Sequence, residues 1–325
     1  MKKILILGGT QFIGRNLVES LQMLGGYELT LFNRQQTQAS LFQEVMKIKG
    51  DRETSDVQLL GATDWDYVID LSCYFPDSLE LLLDRLRGRV NRYIFISTLS
   101  VYSLDTQQPD PINEASSILP CTAAQKSDRT SASYGNRKAE CERVLQRAEW
   151  LDKLVLRASL VYGKYDHTDR FYYWLYRARH QLPLILPDGG RDTITLTYVG
   201  DLVEMIVRSL SLPQHSEVYN ATTHEPCSLQ ELVSTLDKRV TTVSLDSSVL
   251  HSRNIRPALD IPLWFNASLK VSNERLRSDF SMDFTPFNES VELTAQYYQS
   301  LQWPVPGIGL NNEEIIALEQ IATPK

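Results

Sequence analysis

The chain reads as an α/β protein built on a doubly wound parallel sheet, followed by a smaller C-terminal α/β lobe. Three observations predict it. The first half alternates short apolar strands with helical stretches, the pattern of a parallel sheet covered on both faces. A glycine-rich turn, Gly8-Gly9-Thr10-Gln11-Phe12-Ile13-Gly14, joins the first strand to the first helix. At 325 residues the chain exceeds a usual domain of about 100 to 200 residues, so a second compact region is expected.

The elements follow in order. Residues 4–7 form a short, fully apolar strand. Phe12, Ile13, Leu17, Val18, Leu21 and Leu24 then recur at helical spacing until Gly25-Gly26 stops the helix. Residues 29–32, 67–71 and 93–96 supply further strands, with a helix over 78–87 before the last. The polar segment 104–131 lacks periodicity and reads as a long loop. Helix returns over 134–150, strand over 154–156, and an aromatic-rich helix over 171–180. That last helix either packs a core with Thr168 as its N-cap or lines a ligand site, and the pattern favours neither.

Further on, the pattern predicts a strand near 193–197, helices over 201–210 and 228–237, and strands at 218–220 and 240–245. The stretch 250–265 is irregular, and helices cover 290–301 and 312–321. The expected division is a nucleotide-binding domain over 1–165, which also receives about 193–222, and a substrate lobe over 166–325.

The bulk composition narrows the function classes. A net charge of −7 disfavours non-specific attraction to nucleic acid or anionic lipid. Cys73, Cys121, Cys141 and Cys227 are scattered, matching neither a zinc site nor a disulfide framework, so a reducing cytoplasm is expected. No apolar stretch reaches the roughly 18 residues of a membrane span. His167 and His180 lack partners at ligand spacing, and no metal site is expected.

The turn Gly8–Gly14 sits where backbone N–H groups and the positive end of a helix dipole meet a dinucleotide pyrophosphate, the Rossmann arrangement. Gly8 permits the tight turn, and Gly14 lets the helix pack closely on the strand. After the second strand the chain carries Asn33-Arg34. A guanidinium there pairs with a 2′-phosphate and no carboxylate repels it, so NADP is expected in preference to NAD.

Tyr134 and Lys138 stand at i, i+4 and share one helix face. A phenol of pKa about 10 is too weak a base at neutral pH, and lowering it to about 7 takes about 4 kcal/mol. One ammonium at roughly 5 Å, with an effective dielectric of about 20, supplies about 3 kcal/mol. A positively charged nicotinamide nearby would supply the rest.

With these motifs on the page, the chain resembles the extended short-chain dehydrogenase/reductase family, which contains the NAD-dependent epimerases and dehydratases of nucleotide sugars. The turn is similar to the family's G-x-x-G-x-x-G followed by Phe-Ile-Gly, with Gln11 in place of the middle glycine. A long side chain there resembles an atypical subgroup that includes chloroplast stem-loop RNA-binding proteins. Ser97-Thr98-Leu99-Ser100-Val101-Tyr102 resembles the Ser-Ser/Thr-x-x-Val-Tyr motif, which implies Thr98 as a catalytic residue beside Tyr134 and Lys138 and a contact for substrate.

The resemblance implies further contacts. Gly8, Thr10, Gln11, Phe12, Ile13, Gly14, Asn33, Arg34, Asp51, Leu71, Lys138, Ala158, Ser159 and Leu160 would hold the cofactor, with Asp51 at the adenine edge. Tyr74, Thr98, Arg170 and Arg191 would meet the substrate. The reaction implied is epimerisation, dehydration or reduction of a sugar, most simply a nucleotide sugar, by a protein that forms a homodimer. The alternative is a non-catalytic module that senses NADP(H) or binds RNA, for which Arg85, Arg87, Arg89 and Arg92 would supply a basic stripe.

Overall fold

The computed structural model describes residues 1–103, 109–213 and 217–322. The chain divides into two compact units, each made of three segments. The first holds Met1–Ser159, Val199–Thr222 and Ser272–Asp283, and the second holds Leu160–Tyr198, Thr223–Val271 and Phe284–Lys325. The expected break near 165 therefore falls at 159/160. Residues 193–198 stay with the second unit because Leu196–Tyr198 pairs with Leu160–Tyr162 rather than with the main sheet.

The first unit is a seven-stranded, wholly parallel sheet. Its strands are β1 (Lys2–Leu7), β2 (Tyr27–Asn33), β3 (Met46–Lys49), β4 (Trp65–Asp70), β5 (Val90–Thr98), β6 (Asp152–Ala158) and β7 (Val218–Ala221). They lie in the order β3-β2-β1-β4-β5-β6-β7. The helices are α1 (Phe12–Leu24), α2 (Pro76–Leu86), α3 (Tyr134–Arg147), α4 (Val199–Ser209) and α5 (Glu274–Phe280). α1 lies beside α4, and α2 beside α3.

Both faces of the sheet are buried, as the apolar strands require. Leu5, Leu7, Val68, Tyr93 and Phe95 pack with Leu79, Leu82, Leu83, Val144 and Leu145 of α2 and α3, while Ile4 and Ile6, pointing the other way, are equally buried. The strand order reverses between β1 and β4. The turns that leave these two strands diverge there, opening the crevice where ligands of such sheets bind.

Several elements were not expected. β3, Met46-Lys47-Ile48-Lys49, is a short edge strand whose lysines break the apolar pattern, as edges commonly do. The segment 104–131 is not a plain loop: Tyr102 bridges Ile118, and Ala123–Ser127 is a helix turn closed by a Thr122/Gln125 capping box. Residues 104–108 lie outside the described residues. α3 ends at Arg147 rather than at residue 150.

The second unit packs Tyr172, Trp174, Leu184, Leu186, Leu232, Trp264, Tyr298 and Leu318 into a core of its own. Leu184–Pro187 pairs with Thr242–Leu245 in parallel, and Thr193–Ile194 pairs with Cys227–Ser228 in antiparallel. Helices cover Tyr172–Arg179, Leu229–Leu236, Ser247–Ser252, Phe287–Ser300 and Asn312–Ala322. No described helix is long and apolar enough to cross a membrane.

Candidate active site

The turn after β1 is shaped by three glycines. Gly8 and Gly9 have φ of 114° and 99°, where a side chain is strained, and a β-carbon on Gly9 would also lie 2.8 Å from Leu31 Cδ2. A β-carbon on Gly14 would lie 2.7 Å from the backbone of Gly9. That glycine is what lets α1 rest on the turn. Gln11 stands at the N-cap with extended φ of −127° and an exposed side chain. Nothing in that conformation requires glycine, which explains how the middle glycine of the family pattern is dispensed with.

α1 begins with no side-chain cap and no acidic residue in its first turn. Thr10 is buried beside it, Phe12 is held at φ of 30°, and Ile13 is partly exposed. Bare turn backbone and an uncapped helix dipole fit a pyrophosphate.

The end of β2 is locked to this turn. Asn33 Nδ2 donates to the Gly8 carbonyl at 2.9 Å, Asn33 Oδ1 accepts from the Gln35 amide, and the Gly50 amide reaches the Asn33 carbonyl. Asn33 thus serves the scaffold. Arg34 next to it is exposed, and no hydrogen bond or ion pair holds its side chain among the described residues. Asp51, two residues past β3, caps its own loop by accepting from the Glu53 amide.

At the end of β4, Asp70 is fully buried. It accepts from both terminal nitrogens of Arg52, at 2.5 and 2.9 Å, and from the Tyr93 hydroxyl at 2.6 Å. Burial opposes its charge, but Arg52, Tyr93 and Lys138 outweigh burial and hold the carboxyl below its usual range. The signal in the sequence was an acid closing an apolar strand, Tyr67-Val68-Ile69-Asp70, since such an acid must find a cation. Leu71 follows, its amide bonded to the Leu7 carbonyl and its Cβ 3.6 Å from where a Gly8 side chain would begin.

The expected catalytic residues gather at the ends of β4 and β5. Thr98 closes β5, and its Oγ1 accepts from the Ser100 amide and donates to Ser100 Oγ. Tyr134 opens α3, preceded by Asp128, which accepts from the Thr130 amide, Thr130 Oγ1 and Ser133 Oγ. Lys138 is only 3% exposed. Its ammonium donates to the carbonyls of Cys73 (3.0 Å) and Ile96 (2.8 Å) and lies 3.9 Å from the centre of the Phe95 ring. Two of its three donors are thereby committed. Tyr74, 49% exposed, sets its ring 6.2 Å from that of Tyr134.

Two supports were not foreseen. Glu142, one turn beyond Lys138, is buried and accepts from Ser97 Oγ at 2.5 Å and from Arg157 through two nitrogens. Arg157 also donates to the Tyr102 hydroxyl, which donates to Asn220. One carboxylate therefore ties α3 to β5 and β6. Gly135 is the second, because a β-carbon there would overlap the Ser100 carbonyl oxygen.

Ala158 ends β6, and Ser159 is the last residue of that segment of the first unit, whereas Leu160 opens a strand of the second unit. Arg170 and Arg191 also belong to the second unit. Arg170 donates to Thr168 Oγ1, and Arg191 is exposed at the end of the 188–190 turn. Thr168 is not the N-cap. It closes a turn on Asp166, and the helix starts at Tyr172 with Phe171 as its cap. The run Phe171-Tyr172-Tyr173-Trp174 is core, with every ring at 3% exposure or less.

Each arginine of the basic stripe has a neighbour within the first unit. Arg85 donates to the Gln58 carbonyl, Arg87 lies near Asp84 and over Trp150, Arg89 pairs with Asp64, and Arg92 pairs with Asp152. Among the described residues no cluster of His, Cys, Asp and Glu could hold a metal.

Strand order, glycine turn and parallel register together define a Rossmann-type dinucleotide-binding fold. The family model described as the NAD dependent epimerase/dehydratase family matches residues 4–222, and the chain belongs to that family. It is 28% identical over 235 residues to the Arabidopsis thaliana chloroplast stem-loop binding protein of 41 kDa b. That match takes in 67% of this chain and 58% of the relative, so the chain spans little more than half the relative's length.

Solved structures with the same fold include UDP-glucuronic acid 4-epimerase from Bacillus cereus, in complex with UDP-glucuronic acid and NAD (TM-score 0.69, 20% identity, 92% of this chain and 99% of that one). Another is UDP-glucose 4-epimerase from Thermotoga maritima with UDP-glucose (TM-score 0.71, 18% identity, 92% and 99%).

Proposed function

We propose that the chain is an NAD(P)-dependent epimerase, dehydratase or reductase acting on a sugar, most simply a nucleotide sugar. The observation that carries the reading is the convergence of three groups in the first unit: the glycine turn on α1, the Thr98 end of β5, and the Tyr134 to Lys138 face of α3 pressed to that strand end through Gly135. Family membership and the ligands named for the two epimerase structures support it.

In this reading the turn Gly8–Gly14 holds the pyrophosphate. Arg34, unengaged at the end of β2, meets a 2′-phosphate and favours NADP. The dinucleotide, when bound, supplies a hydride acceptor or donor. Thr98 Oγ1 and Tyr74 hold the substrate oxygen, and Tyr134 exchanges a proton with it. Lys138, seated on two carbonyls, favours the phenolate of Tyr134.

The first test is calorimetric titration with NAD, NADP and their reduced forms, followed by a nucleotide-sugar screen with the form that binds. Micromolar binding supports the reading, and no binding by any of the four removes it. RNA binding is the second reading, favoured by the stem-loop binding relative and opposed by the net charge of −7. Retention of RNA that falls steeply with salt would bring it forward.

A further inference from the structure

Cys73 and Cys141 meet in the core of the first unit with their sulfurs 3.8 Å apart, and both side chains are buried. Cys73 lies in the turn between β4 and α2, and Cys141 lies midway along α3. Neither thiol has a part in the proposed chemistry. Bonding would bring the sulfurs to about 2.05 Å, a closure of about 1.7 Å from the observed contact. The turn can yield that distance: residues 72–75 lie outside regular structure, and Tyr74, next to Cys73, is half-exposed.

The two thiols are chemically unequal. Burial and the Asp70 charge oppose a Cys73 thiolate, but the bond shared with Cys141 and the charges of Arg52 and Lys138 outweigh them and pull the Cys73 thiol below its ordinary range. Its bond to Cys73, followed by burial, pushes Cys141 well up. Arg52 and Lys138 favour a thiolate at Cys73, whose sulfur lies 3.8 Å from that of Cys141 and 3.7 Å from the Phe75 carbonyl of the turn, and Cys73 is taken as the attacking thiol. Cys121 and Cys227 are free thiols pushed up by burial, Cys227 to about 11.

We propose that Cys73 and Cys141 are an oxidisable dithiol that a hydroperoxide converts into an intramolecular disulfide. The Cys73 thiolate attacks the terminal peroxide oxygen and the O–O bond breaks. The departing oxygen takes up a proton to leave as water or alcohol, and Cys73 becomes a sulfenic acid. The Cys141 sulfur then attacks the Cys73 sulfur, the S–O bond breaks, and hydroxide leaves with the Cys141 proton as water. Two electrons pass from the thiols to the peroxide, and a dithiol reductant reverses the change. The Cys73 carbonyl also seats Lys138, so oxidation pulls on that seat.

The experiment treats the native full chain with hydrogen peroxide, labels remaining thiols with N-ethylmaleimide in denaturant, and measures the intact mass. The expected result is two labels instead of four, a further loss of about 2 Da, and a non-reduced peptide joining Cys73 to Cys141. The Cys121→Ser/Cys227→Ser variant, which leaves the core intact, should lose both remaining labels. Four labels after treatment, a disulfide that includes Cys121 or Cys227, or irreversible over-oxidation of Cys73 in place of the disulfide would overturn the proposal. No outcome depends on dinucleotide binding or turnover.

Discussion

The carbonyl oxygen of Ser100 fills the space that a β-carbon on Gly135 would occupy, so the first turn of α3 touches the 99–101 turn backbone to backbone. Glycine inside a helix ordinarily costs about 0.5 to 1 kcal/mol relative to alanine. Here the sign reverses. Gly135→Ala should destabilise the protein by about 1 to 3 kcal/mol, because α3 must move and backbone cannot yield as a side chain would. Urea melts of the two proteins decide it, and a more stable alanine variant would sink the argument.

Asp70→Asn should cost about 3 to 5 kcal/mol at neutral pH, since it strands the buried Arg52. The double variant Asp70→Asn/Arg52→Met should recover most of that loss. Equal melting points for the single and double variants would mean that the pair carries no such penalty.

The same carboxyl sets a pH dependence. Its folded pKa is depressed by Arg52, Tyr93 and Lys138 against burial. Its contribution is therefore fully present above the unfolded value of about 4 and is lost as pH falls through the depressed folded value. The stability gap between wild type and Asp70→Asn should be constant from pH 7 to pH 5 and shrink below about pH 4. Denaturant midpoints across that range measure it.

Tyr134→Phe should leave dinucleotide affinity within about twofold while lowering turnover by about 10² to 10⁴. Lys138→Met should lower turnover as well, and it also vacates the Cys73 and Ile96 carbonyls, so its melting temperature should drop. Full turnover in Tyr134→Phe would remove the phenol from the chemistry.

Arg34→Ala should weaken NADP by about 10- to 100-fold, the worth of a charge-assisted hydrogen bond to phosphate, and leave NAD unchanged. Paired calorimetric titrations read the difference. A uniform loss for both nucleotides would assign Arg34 to the scaffold.

Much of the sheet was legible because its strands are buried on both faces and read as continuous apolar runs. β3 was not, because an edge strand carries lysines where an inner strand carries valine or leucine. The glycine turn and the Tyr134 to Lys138 face are local patterns and could be read directly. Glu142, Arg157 and the Arg52 to Asp70 pair could not, since each bond joins residues from separate elements. Asp70 alone left a trace, as an acid at the close of an apolar strand. The aromatic run 171–174 offered a core and a ligand surface equally, and burial decided for the core.

The chain passes between its two units five times, at 159/160, 198/199, 222/223, 271/272 and 283/284. α5, from the last segment of the first unit, lies against the edge strand β7, with Phe280 edge-on to Tyr219 and the Tyr219 hydroxyl bonded to Asp279. A fragment stopped at Thr222, where the family match ends, would keep every strand of the sheet yet bare the Tyr219 ring and the Val218 carbonyl, which Phe280 and Arg275 cover. Thr222 is therefore no cut point: the first unit needs 272–283, and residues 160–198 in such a fragment would lose the core partners they have in 223–271 and 284–325.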